Sequence, residues 1–164
     1  MKRILLLLLV FMILLCSCVS KKSGDKLIDA DPSDIIDAVY DELPEDSKAG
    51  KFIPGLITSE INEKNEKYYL GINGVRYKKG AASEGFDQPT VYSFCVIIFE
   101  DDADFDAERI KTEQNLNKSK WVCASAEEAF VVRYKNTAAV IMGSKDVCAE
   151  LESAFLSVMS SLYG

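Results

Sequence analysis

The sequence predicts an α+β domain, a single antiparallel sheet of about four to five strands with helices packed on one face. Three observations predict it. Residues 31–43 and 145–162 place apolar side chains at helical spacing, whereas residues 90–99 and 129–142 form strand-type apolar runs. These helix and strand signals alternate along the chain with no internal repeat.

The first helix is signalled by Asp31 as N-cap, Pro32 at the first helical position, acids in the first turn, and apolar residues at 35, 36, 39 and 43; Pro44 ends it. Residues 45–58, punctuated by Gly50, Pro54 and Gly55, read as loop. Asn62 is placed to cap a short helix running to Leu70, with Gly71 as its left-handed stop. A basic, glycine-rich loop through Lys78 and Lys79 follows, and Gln88-Pro89 leads into residues 90–99. That strand is apolar at both alternating sets of positions, so it is covered on both sides or lies centrally in the sheet. Residues 104–118, after an acidic turn, read as a further helix and Trp121-Val-Cys-Ala as a strand. Residues 129–134 and 137–142, joined by a Lys135-Asn136 turn, read as a hairpin. The last helix presents residues 147, 148, 151, 155, 158, 159 and 162 on one face.

Ahead of this domain stands a secretory-type segment, with Lys2 and Arg3 as a positive start and residues 4–15 as an unbroken apolar run. The run is shorter than the roughly 20 residues that cross a bilayer. It closes on Leu15-Cys16-Ser17-Cys18, in which Ser17 supplies the small residue and Cys18 the thiol of a bacterial lipoprotein processing site. Cys16 is the poorer acceptor because bulky Leu15 precedes it. The expected organisation is therefore a signal peptide over 1–17, a flexible polar tether over 18–30 beginning with lipidated Cys18, and the domain over 31–164. Two acyl chains on Cys18 make membrane attachment durable, at about 0.8 kcal/mol per buried methylene. This puts the domain on the outer face of the cell membrane.

Without Lys2 and Arg3, 17 basic residues face 26 acidic ones, a charge near −9. Nucleic acid is a poor partner for such a surface, since phosphate binding needs clustered Lys and Arg. The chain contains no histidine, which removes imidazole acid–base chemistry, Ser-His-Asp and Cys-His nucleophiles, and His-containing metal sites. Cys95, Cys123 and Cys148 are widely spaced, with no C-x-x-C pair. They read as three buried free thiols; a Cys95 to Cys123 bridge between adjacent strands is the alternative.

Four features imitate function. Asp102, Asp104, Asp106 and Glu113 sit at positions 1, 3, 5 and 12 of a would-be calcium loop, but position 6 is Ala107 where the turn needs glycine. The acids are better read as complementing the positive start of a helix. Ser23-Gly-Asp-Lys26 matches the S-x-x-K of penicillin-binding enzymes without either companion motif. Glu60, Glu63 and Glu66, interleaved with Lys64 and Lys67, read as a solvated surface. Tyr68, Tyr69, Tyr77 and Phe86 surround the basic loop, either as core and rim packing or as a contact face for glycan or protein.

The segments Tyr68-Tyr-Leu-Gly-Ile72, Ala81-Ala-Ser-Glu84, residues 92–99, Asn117-Lys-Ser-Lys-Trp-Val-Cys123 and Val140-Ile-Met-Gly143 follow in that order behind a lipoprotein signal. In this the chain resembles a domain-of-unknown-function family of small lipoproteins from Gram-positive, clostridial-type bacteria. The resemblance covers residues 32–162 and implies the outer face of a cytoplasmic membrane and a single α+β domain. It implies no reaction, cofactor or active-site residue. Two functions from different classes are expected: a non-enzymatic surface module that binds a protein, peptide or cell-wall partner, or a thiol-redox accessory acting through Cys95 or Cys123. No catalytic, cofactor-binding or metal-ligating residue is assigned, and Cys18 is the lipidation site.

Overall fold

A computed structural model describes residues 26–86 and 90–164. The signal peptide, Cys18, residues 18–25 of the tether, the Ser23 motif's first residues and Gln88-Pro89 lie outside them. The elements are helix α1 (Pro32–Glu42), a 3-10 turn (Gly50–Gly55), β1 (Leu56–Glu60), α2 (Glu66–Leu70), β2 (Tyr77–Gly85), β3 (Ser93–Phe99), α3 (Phe105–Asn115), β4 (Glu128–Tyr134), β5 (Thr137–Gly143) and α4 (Lys145–Tyr163). The five strands form one sheet in the order β1-β2-β3-β5-β4, with every neighbouring pair antiparallel.

The strand apolar on both faces, β3, is central and wholly buried. Alternation sends Phe94, Val96 and Ile98 to one face and Cys95, Ile97 and Phe99 to the other. On the first face, β5 adds Ala139 and Ile141, and helices α1 and α4 close over them. Helix α1 contributes Ile35, Ile36 and Val39, and α4 contributes Val147, Leu151, Phe155, Val158 and Met159. Each large apolar side chain so buried stabilises by roughly 1.5–3 kcal/mol. The α1 start is as expected, the Asp31 carboxylate accepting from the Ser33 N–H at 2.9 Å.

The second face is roofed as well, by Ile61, Leu70, Val75, Ala103, Trp121 and Ala126 from α2, α3's leading turn and the loops. Residues 121–124 do not form the expected strand. They make a tight turn closed by a Trp121 to Ala124 bridge, with Cys123 at φ 60°. Two strands lie where the sequence reads as loop. β2 is polar, small and glycine-containing, and pairing with β1 and β3 overrides its weak local preference. Gly80 sits at a close approach there, since a Cβ would lie 3.1 Å from both Ile61 Cβ and Ile97 Cγ2 and these side chains would have to give by a few tenths of an ångström.

The helix expected from Asn62 begins at Glu66, because Asn62 instead accepts from Asn65 and Glu66 and turns the chain first. Its stop is as expected: Gly71 has φ +78° and its N–H reaches Lys67 O. A Cβ on Gly71 would fall 2.0 Å from Asn115 O. Gly71→Ala is therefore expected to lower stability by about 2–3 kcal/mol, through left-handed backbone and overpacking together. A urea midpoint unmoved in that variant would refute the contact.

The domain starts earlier than residue 31. Ile28 is buried, its N–H donating to Asn136 Oδ1 at 2.8 Å and its carbonyl accepting from Asn136 Nδ2 at 3.0 Å. Lys79 pairs with Asp29. Residues 28–30, expected as the end of a flexible tether, are thus seated on the sheet.

Candidate binding face around Glu84

Pairing of Glu84 with Ser93, and of Ala82 with Cys95, puts these side chains together on the second face, toward the β1 side. Two segments distant in sequence close over them: Tyr68-Tyr69 from α2 and Lys120-Trp121 from the turn after α3. Lys120 is the hub, its side chain only 3% exposed. Its ammonium donates to Glu84 Oε1, and to Ser93 Oγ at 3.0 Å. It lies 4.5 Å from the Tyr68 ring centroid, 5.0 Å from Trp121 and 5.3 Å from Tyr69. The Tyr68 hydroxyl donates to the other Glu84 oxygen at 3.0 Å. A buried ammonium is tolerable only when paired and solvated by the protein, which one carboxylate, one hydroxyl and three ring faces accomplish here.

This chemistry clamps rather than reacts. Ser93 is fully buried and its hydroxyl receives a proton donor from Lys120. Burial, and then the Glu84 charge, push the Tyr68 and Tyr69 phenols up from their usual range. Burial likewise drives the Cys95 thiol up to about 12, with Lys120 only partly opposing it. A working redox cysteine needs the opposite shift.

Cys95, Cys123 and Cys148 are all free, so the Cys95 to Cys123 alternative is corrected: residue 123 sits on a turn outside the sheet, not on a strand beside Cys95. Cys95 and Cys148 are buried as expected, whereas Cys123 is exposed. Of the four expected aromatics, Tyr68 and Tyr69 share the clamp, 5.0 Å apart and edge to face. Phe86 follows two residues after Glu84, and Tyr77 lies at the far end of β2, near Glu66, its phenol pushed up to about 12 chiefly by burial.

The acidic look-alikes are resolved by partners. Asp104 caps α3 on the Ala107 N–H at 3.1 Å, Asp102 pairs with Arg76 at 2.6 Å, and Asp106 pairs with Arg133 at 3.0 Å. Glu113 meets Arg109 and the Val131 N–H, each at 3.1 Å. They bracket a helix rather than converge, and no group of three metal-type ligands occurs among the described residues. Glu60 and Glu63 are exposed as expected, but Glu66 is buried and accepts from the Val75 N–H at 2.7 Å, holding the loop after α2.

Sequence reasoning missed Lys120, Glu84 and Ser93 as a unit because their contacts span 27 and 36 residues. Four exposed apolar side chains belong to the clamp or neighbour it in register or along the chain. Ile57 (49% exposed) is cross-strand from Glu84, Tyr68 (41%) bonds to it, Phe86 (76%) follows it on the chain, and Val122 (69%) follows Lys120-Trp121. No helix among the described residues is long and apolar enough to cross a membrane. No family model matches the chain, nor does any curated protein or solved structure.

Proposed function

We propose that this chain is a lipoprotein held on the outer face of the cell membrane through Cys18, akin to the clostridial-type lipoproteins it resembles. In this reading it binds a protein or peptide partner through the Glu84 face without transforming it. The observation that supports this is that exposed Ile57 and Tyr68 flank Glu84 of a satisfied buried ion pair, and that exposed Phe86 and Val122 lie two residues along the chain from Glu84 and Lys120. Single exposed apolar residues are ordinary on a protein surface, whereas a cluster over a rigid base marks an interaction surface. The clamp supplies the rigidity, since Lys120 fixes the α2 aromatics, the Trp121 turn and strands β2 and β3 to one another.

The binding part is tested by placing a photo-reactive amino acid at Phe86 in cells. A discrete crosslinked species that vanishes with Ile57→Ser and Tyr68→Ala supports it; crosslinking indifferent to those changes refutes it. The anchor is tested separately. Cys18→Ala is expected to move the protein from the membrane fraction to the soluble one, and retention would argue for an uncleaved apolar segment.

A further inference from the structure

The sheet has two outer strands, and they are finished differently. On β4, the outward Val131 N–H is taken by Glu113 Oε2 and Arg133 is tied to Asp106. Edges are commonly blunted in this way. β1 is not blunted along its middle.

The hydrogen bonds that define its inner side define its outer side too. Ile61 N–H donates to Gly80 O and Phe86 N–H donates to Gly55 O, each between residues directly opposite in the β1–β2 register. In an antiparallel ladder, bonded and non-bonded pairs alternate. Residues 57 and 59 therefore turn their backbone groups to β2, and residues 56, 58 and 60 turn theirs outward. Both ends of that outward row are occupied: Leu56 N–H reaches Ile53 O, and Glu60 O accepts from Asn65 Nδ2 at 2.9 Å. Between them Leu56 O, Thr58 N–H, Thr58 O and Glu60 N–H have no partner among the described residues. The strand itself is exposed along residues 57–60, and its sequence, Leu-Ile-Thr-Ser-Glu, lacks the lysine or proline that discourages pairing.

We infer that β1 is the docking edge for an extended peptide segment of a partner protein, which adds to the sheet as a sixth strand. This rests on the binding-module reading and specifies its partner. Four alternating backbone groups within a slot bounded at both ends select an extended chain over a helix. The residue of that peptide flanking Ile57 lands on the Glu84 face, beside Tyr68, where an apolar side chain extends the exposed cluster. A second copy of this chain fits less well. The bounded slot centres an antiparallel self-pair on Thr58, which sets Ile57 against Ser59 and Leu56 against Glu60. Each apolar side chain then meets a polar one.

The test uses Thr58→Pro and Thr58→Ala in the full lipidated chain, reconstituted in nanodiscs. Thr58 N–H serves no bond within the sheet, so proline removes the edge donor and leaves the β1–β2 ladder intact, whereas alanine keeps the donor. The probe is a phage-displayed library of random 12-residue peptides. The inference expects selected peptides with alternating apolar residues that bind wild type and Thr58→Ala alike and Thr58→Pro at least tenfold more weakly. Equal binding to Thr58→Pro, peptides of helical period, or no enrichment over empty nanodiscs would overturn it.

Amide exchange checks it without relying on the proline variant's fold: the Thr58 and Glu60 amides are expected to become protected on adding a selected peptide, and unchanged exchange counts against the edge. A wild-type dimer dissolved by Thr58→Pro in sedimentation would overturn the peptide in favour of self-pairing. If Phe86 crosslinking persists in Thr58→Pro at wild-type yield, the edge fails while the binding module stands. If wild type shows no crosslink, the module reading fails first.

Discussion

Lys120→Met will destabilise the domain by about 3 kcal/mol, and adding Glu84→Gln to it will recover much of that loss. The magnitude follows from what each change leaves behind. Removing one member of a buried pair costs about 3–5 kcal/mol because the survivor stays desolvated and unpaired, whereas removing both is often neutral. Glu84 keeps some contact with water, so the lower end applies. Methionine fills the space between the three rings, which keeps lost packing from dominating the result. Urea denaturation of wild type, both single variants and the double variant closes the cycle. A coupling energy of about 2 kcal/mol is expected, and additive losses would mean that the pair does not act as a unit.

The second large effect appears on the alkaline side. Burial holds the Cys95 thiol up to about 12 against an ordinary value of 9.0, and Cys148 is raised to about 12, first by burial and then by Glu128 and Glu127. The sign follows from proton counts. Below pH 9 both states carry the thiol proton and stability is unaffected. Between about pH 9 and 12 the unfolded chain gives up the proton while the folded chain keeps it, so stability falls as pH rises. One group changes the slope by about 1.4 kcal/mol per pH unit, or about 4 kcal/mol across the window for fully buried Cys95. Tyr40, raised to about 12 chiefly by burial, steepens the fall above pH 10. Under reducing conditions, Cys95→Ala is expected to flatten the slope by about one proton. A variant with the wild-type slope would show that the thiol titrates freely in the folded state.

What could be read from the chain, and what could not, divides along the range of the forces involved. The helices α1 and α4 and the central strand β3 were legible because their signals are local: an Asp31 cap before Pro32, an apolar stripe ending at Leu162, a run apolar at successive positions. The β4–β5 hairpin was legible for the same reason, its turn lying between two apolar runs. β2 was not, because Lys78, Lys79 and Gly80 carry no strand preference and the strand exists by virtue of partners on both sides. Trp121 misled in the other direction: an aromatic next to valine suggests a strand, but its side chain is wanted in the second core, and a turn delivers it there. Glu66 looked like surface charge because its spacing matched its exposed neighbours, and only the Val75 amide explains its burial. The clamp combined both difficulties, since a lysine is ordinarily a solvent residue and nothing beside Lys120 in sequence announces its carboxylate.

The hold of Asn136 on Ile28 bears on how the domain carries tension. A pull on the chain ahead of residue 28 cannot peel α1 away directly. It meets the two hydrogen bonds between the Ile28 backbone and the buried Asn136 side chain, in a residue whose backbone carbonyl accepts from the Phe99 N–H, and a second mooring where Asp29 meets Lys79. The load therefore divides between the β4–β5 turn and β2, on either side of β3, and is shared across the sheet before any helix is disturbed. A domain tugged from its N-terminal side would keep its clamp and its β1 edge in shape while under strain.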